Sequence, residues 1–168
     1  MDKAQKRIVA ILAALLAPLM IALVIVIVWR ANNVQVGGFV PPAFDASAVK
    51  GKPENLDASY GYNTVSAQDS FSVSLCYTPI FRDGAVQLYF TSHSDNAVWL
   101  SAAVYDTEGN LLGESGLVRP GEYVQEIALN VRPEASREII LKIRTYEPDT
   151  YYSLGIVSGT LFLVVPNP

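Results

Sequence analysis

Two hydrophobic rhythms divide this chain. Residues 8–29 are apolar at almost every position and carry no charge, whereas from residue 70 onward apolar side chains recur at every second position. A continuous run of that length, at about 1.5 Å of rise per residue, reaches across the ~30 Å hydrocarbon core of a bilayer as a helix. Alternation is the mark of half-buried strands. It predicts strands over residues 70–77, 85–91, 97–105, 111–117, 123–129, 138–146 and 156–165, with a brief pairing over 151–154. The punctuation agrees. Pro79 ends the first run, Asp83-Gly84 and residues 106–110 turn the chain, as do Arg119-Pro120-Gly121-Glu122, and Glu147-Pro148-Asp149-Thr150 breaks the long sixth strand. Seven or eight short strands with turn signals about every 8–12 residues predict an all-β, antiparallel sandwich.

The flanks of the apolar run set its direction. Lys3, Lys6 and Arg7 precede it and Arg30 alone follows closely. Basic residues stay cytoplasmic, so the N-terminus is expected inside, with residues 1–7 as a basic tail and everything past Arg30 outside. A cleaved signal peptide has a shorter apolar core, about 7–15 residues, and small residues before the cut. Val28, Trp29 and Arg30 are poor cleavage residues, which favours an uncleaved anchor over residues 8–29. Trp29 and Arg30 suit the outer interface, as Lys3, Lys6 and Arg7 suit the inner one. Pro18 removes one backbone donor mid-run, a kink that membrane helices tolerate. No Gly-x-x-x-Gly motif points to a close helix dimer.

Between anchor and strands, residues 30–69 hold Gly37-Gly38, Pro41-Pro42, Gly51 and Pro53 with no sustained period. They read as an extended stalk whose later half docks on the domain. Residues 33–40 are a candidate edge strand and residues 43–49 a candidate helical turn. The domain proper is expected over residues 70–168, ending on its last strand, with Pro166 and Pro168 limiting further pairing there.

Charge narrows the partners. The first thirty residues contain four basic and one acidic residue, leaving eight basic and fifteen acidic beyond them. An acidic outer part argues against nucleic acid or anionic lipid as its ligand. One cysteine excludes an intrachain disulfide. Cys76 shares the parity of Ser70, Ser72 and Ser74, which reads as a small residue on a half-covered face rather than a redox group.

Candidate chemistry is sparse. His93 is the single histidine, in a polar loop over residues 92–96, and reads as a solvated side chain rather than a catalytic base. One histidine and one cysteine do not build a usual zinc site. Asp106, Glu108 and Asn110 alternate like the start of a calcium loop, but Leu111 and Leu117 occupy the positions that would need glycine and glutamate, so a hairpin turn is the better reading. Asp83, Glu147 and Asp149 are oxygen donors with nothing to group them. Fifteen outer acids make some carboxylate pair inevitable, so no pair is evidence for glycoside hydrolysis. No phosphate-binding glycine motif is present. Catalytic residues, metal ligands and cofactor ligands are therefore assigned to none, and no small-molecule ligand is expected. Among nine tyrosines, Tyr151, Tyr152, Tyr123 and Tyr105 are the candidate interaction residues, each weighed against plain strand filling.

The blocks Asp95-Asn96-Ala97-Val98-Trp99-Leu100, Tyr105-Asp106-Thr107-Glu108-Gly109-Asn110-Leu111-Leu112-Gly113 and Leu117-Val118-Arg119-Pro120-Gly121-Glu122 resemble bacterial immunoglobulin-like modules. The likeness is closest to small extracytoplasmic domains of Firmicutes surface proteins. It covers about residues 92–129 and lies in turn chemistry, so it implies an immunoglobulin-like fold and a binding or structural role but transfers no functional residue. The expectation is a non-enzymatic, single-pass membrane protein with an extracellular sandwich that contacts a protein partner in the cell envelope. Two rivals stand beside it: a self-assembling surface subunit that uses residues 33–40 for strand addition, and a carbohydrate-binding sandwich or enzyme.

Overall fold

Along the central strands apolar side chains recur at every second position, so burying one face fixes both the pleat and the register. The computed structural model describes residues 40–67 and 70–166, together with Asp2, Gln5, Met20 and Leu23. The chain divides into two compact units, Met1–Val40 and Pro41–Pro168. In the first, Gln5, Met20 and Leu23 have helical backbone, and Met20 and Leu23 are exposed. Among the described residues no helix is long and apolar enough to cross a membrane. The apolar run over 8–29 lies outside them apart from Met20 and Leu23, and so do Lys3, Lys6, Arg7, Trp29 and Arg30.

The second unit is all-β and antiparallel. Its strands are β1 (Val49–Lys50), β2 (Tyr62–Ala67), β3 (Phe71–Cys76), β4 (Ile80–Arg82), β5 (Ala85–Ser92), β6 (Trp99–Tyr105), β7 (Leu111–Glu114), β8 (Glu122–Ala128), β9 (Arg137–Tyr146) and β10 (Ser153–Leu163). One sheet has the order β1-β8-β5-β3-β2, with β4 also paired to β5; the other has the order β10-β9-β6-β7. Their inner faces meet in a single core. Val73, Leu75, Val86, Leu88, Phe90, Val124 and Ile127 come from the first sheet, and Leu100, Ala102, Val104, Ile139, Leu141 and Leu161 from the second. The alternation of Ile139, Leu141 and Ile143 against Ile140, Lys142 and Arg144 is realised in β9, whose odd positions from 139 to 145 are buried.

Ten strands replace the expected seven or eight, and each addition has a cause. β4 is three residues long, too short for a period to register, and is tied to β5 by an Asp83-Gly84 turn in which both residues have positive φ (52° and 86°), the twist that a two-residue hairpin needs. β1 has two residues. β2 pairs along its whole length with β3, yet five of its six positions carry little apolar weight. Residues 41–67, read from the sequence as part of a stalk, thus belong to the sandwich unit. Residues 43–49 make one hydrogen-bonded turn, with Ala48 N–H donating to Asp45 O, and are docked on the domain: Phe44 bridges Leu117 in parallel, Asp45 N–H donates to Leu117 O, and the Asp45 carboxylate accepts from Gly116 N–H. Of residues 33–40 only Val40 is described; it is exposed and outside any strand.

The two long sides of the sandwich differ. On the β7 side the sheets are drawn together: Gly113 lies so close to the Ala128 carbonyl that a side chain there would collide with backbone, and Asn130 N–H donates to Leu112 O at 2.7 Å. At one end, the chain leaving β10 crosses to the first sheet, where Val164 pairs with Ile80, the first residue of β4. The side bounded by β2 and β10 has no such tie, and a cleft opens there.

Candidate interaction surface

β10 is an eleven-residue edge strand hydrogen-bonded to β9 alone. Its residues 153–160 are all exposed, among them Leu154, Ile156 and Val157, and Phe162 farther along is half exposed. No acidic or basic side chain follows Asp149 in the chain. An edge strand presents a row of unpaired backbone donors and acceptors, and folded proteins usually blunt such edges with lysine, proline, a bulge or a short length. Here the single irregularity sits at the start, between Ser153 and Gly155, and Pro166 comes only after the strand has ended. The remaining edge is long, regular and neutral.

Behind that edge lies the cleft. Val65 and Ala67 of β2, Phe71, Val73 and Leu75 of β3, Leu141 and Ile143 of β9 and residues 157–161 of β10 line a nearly all-apolar space of about 130 Å³. It widens past Phe71, Gly155 and Leu154 into a more open depression. Its origin is local. Gly159 sits opposite Leu141 and Gly155 opposite Thr145, on the inward face, and a Cβ added at either glycine would meet nothing within 4 Å. The backbone of Gly159 does not require glycine, since its φ lies outside the left-handed region. What the residue contributes is an absent side chain. The enclosed apolar part has room for the side chains of an added strand.

The four tyrosines picked from the sequence do not converge. Tyr105 ends β6 on the outer face of the second sheet, where its hydroxyl accepts from Arg144 Nη2 at 3.0 Å and Lys142 Nζ lies 4.2 Å from its ring centre. Tyr151 packs edge-on against Trp99 (5.1 Å), at the opposite end of β6, in a file that continues through Phe44 (4.8 Å) to the Arg119 guanidinium, 3.5 Å from the Phe44 ring centre. Tyr152 adjoins it and is 72% exposed. Tyr123 lies on the other sheet, paired with Val49 and Thr91. Only Tyr151 and Tyr152 are neighbours, immediately before β10. The edge itself, with Leu154, Ile156, Val157 and Gly159, does not stand out in the sequence, because a neutral alternating run reads as an ordinary closing strand. The overlooked signal was the lack of any charge after Asp149.

One polar reading changes. His93 is half-buried rather than solvated: its Nε2 lies 2.8 Å from Ser74 Oγ, which in turn lies 2.7 Å from Thr64 Oγ1. The loop is clamped onto β3, because Asn96 accepts from Ser72 N–H and donates to Ser72 O, both at 2.8 Å. Ser74 is itself buried, so this hydroxyl chain joins β2, β3 and the loop. Cys76 itself is fully covered, 0% exposed, on a face that stays half-covered toward Ser72 and Ser70. Tyr62 sits across from it in the ladder, and Tyr60 packs edge-on against Tyr89, whose pKa is raised by burial first and by Tyr60 and Cys76 after it. Burial pushes the Cys76 thiol up to about 12. Asp106 closes the β6–β7 hairpin: its carboxylate accepts from the Asn110 side chain and from the backbone N–H groups of Asn110 and Glu108, which holds its pKa below the ordinary value. Gly109 in that turn has φ +90°. Among the described residues no group of three metal-ligating side chains comes together.

No family model matches the chain, and no curated protein matches it. Among solved structures, CopC from Methylosinus trichosporium OB3b is similar at 20% identity, over 62% of this chain and 92% of its own, with a TM-score of 0.29. A likeness that loose leaves the functional reading to this chain's own residues.

Proposed function

We propose that this chain is a single-pass membrane protein, N-terminus in the cytoplasm, whose immunoglobulin-like sandwich stands on the outer side and binds another envelope protein by strand addition. It acts by recognition, without catalysis or cofactor. The uncharged run over 8–29, its basic N-terminal flank and the helical backbone at Gln5, Met20 and Leu23 support the anchor. One observation carries the mechanism: the β10 edge is long, neutral and exposed over residues 153–160, and the apolar cleft runs beside it. Backbone groups of the edge supply affinity, and alternate side chains of the incoming strand enter the cleft and choose the partner.

The test places a photo-reactive residue at Val157 in the full chain within intact cells, with a second sample carrying it at Thr107, in the turn across the domain. The reading expects a protein adduct at Val157, absent at Thr107 and lost when Gly159→Leu fills the cleft. No adduct at Val157, or equal yield at both positions, contradicts it.

A further inference from the structure

We infer that the strand received at this edge is β10 of a second copy, paired antiparallel about a two-fold axis at Ser158. The inference rests on the strand-addition reading and names its partner. An isologous pairing demands a strand complementary to its own reversal. β10 meets that demand at one register. With Ser158 opposite Ser158, the inward positions fall so that Gly159 faces Val157 of the second copy and Gly155 faces Leu161. Both inward glycines, the two places where the cleft lacks a side chain, therefore stand opposite a branched apolar residue. On the outward face Ile156 meets Thr160, a pair of β-branched side chains that favours cross-strand contact. Charge points the same way. A strand without acid or base gains nothing from a charged partner and places no like charges opposite one another when it meets itself. The four-stranded second sheet becomes one sheet of eight, and the exposed edge of each copy disappears.

Cysteine pairing in the full chain, held in its membrane or in detergent, reads the register directly. Facing residues in an antiparallel pair lie about 4.5–5.5 Å apart between Cα atoms, within disulfide reach. Ser158→Cys then gives a disulfide-linked dimer on mild oxidation. Ile156→Cys alone and Thr160→Cys alone do not, because each sits about 13 Å from its own counterpart at ~3.3 Å per residue. Mixing those two variants restores the dimer. Cys76 is buried and stays out of the reaction. Monomer in both the Ser158→Cys sample and the mixed sample overturns the inference, as does a dimer from Ile156→Cys alone. If the Val157 photo-adduct then contains a different protein, strand addition stands and only the self-pairing falls; if no adduct forms either, both fall.

Discussion

Cys76 illustrates how one position reports on the layer above it. A thiol held neutral by burial is a poor nucleophile, because the thiolate is the reacting form. The folded chain is therefore expected to resist alkylation at pH 8 and to react fully once denatured, which quantitative labelling with iodoacetamide checks. Rapid labelling in the folded state would mean that the tyrosine cover over β3 is open. The pH sign follows from the same shift. With the folded thiol at about 12 and the unfolded one near 9.0, its contribution to stability is fully present below about pH 9 and is lost as pH rises through about 12. Asp106 runs the other way: its lowered folded value favours the fold above the ordinary carboxylate range, and that contribution fades as pH falls through the folded value. Surface ion pairs such as Arg144–Glu114, at 3.4 Å and partly exposed, contribute about 0–1 kcal/mol and decide little.

β10 is the element where stability and the proposed strand addition pull apart. Filling the cleft with Gly159→Val places a β-branched side chain in open space at a strand position that tolerates it. Cavity filling of this kind commonly adds about 0.5–2 kcal/mol. The expected outcome is a higher melting temperature together with weaker self-association, measured by calorimetry and by mass in detergent; a loss of stability would show that the cleft is not the open space described. Elements with strong alternation, β5, β6 and β9, are legible in the sequence because each places three apolar residues in a row on its inward side: Val86, Leu88 and Phe90; Leu100, Ala102 and Val104; Ile139, Leu141 and Ile143. β1, β2 and β4 are not: two are too short to show a period, and β2 offers only Val65 and Ala67 on its inward side. The candidate site was harder still. Strand patterns reveal which face is buried, but an edge depends on sheet order, which brings β10 beside β9 and leaves its other side open. The four tyrosines, singled out by type, proved to lie on two sheets and at two ends.

Taken whole, the sandwich is sealed along β7 and β8 and open along β2 and β10, and the proposed strand addition uses that asymmetry. A net charge of −4 makes copies of the chain repel, while the meeting edge is neutral. Self-association should therefore strengthen as salt screens the rest of the surface. Hydrogen exchange across Ser153–Leu163 in the full chain, followed from dilute to concentrated protein, bears most directly on this. The account predicts that the outward-facing amides of β10 become protected as concentration rises, and that Val157→Lys, which sets a charge in the cleft, abolishes that protection while leaving the core amides of β5 and β9 unchanged. Protection of β10 that is independent of concentration and unaffected by Val157→Lys would contradict it.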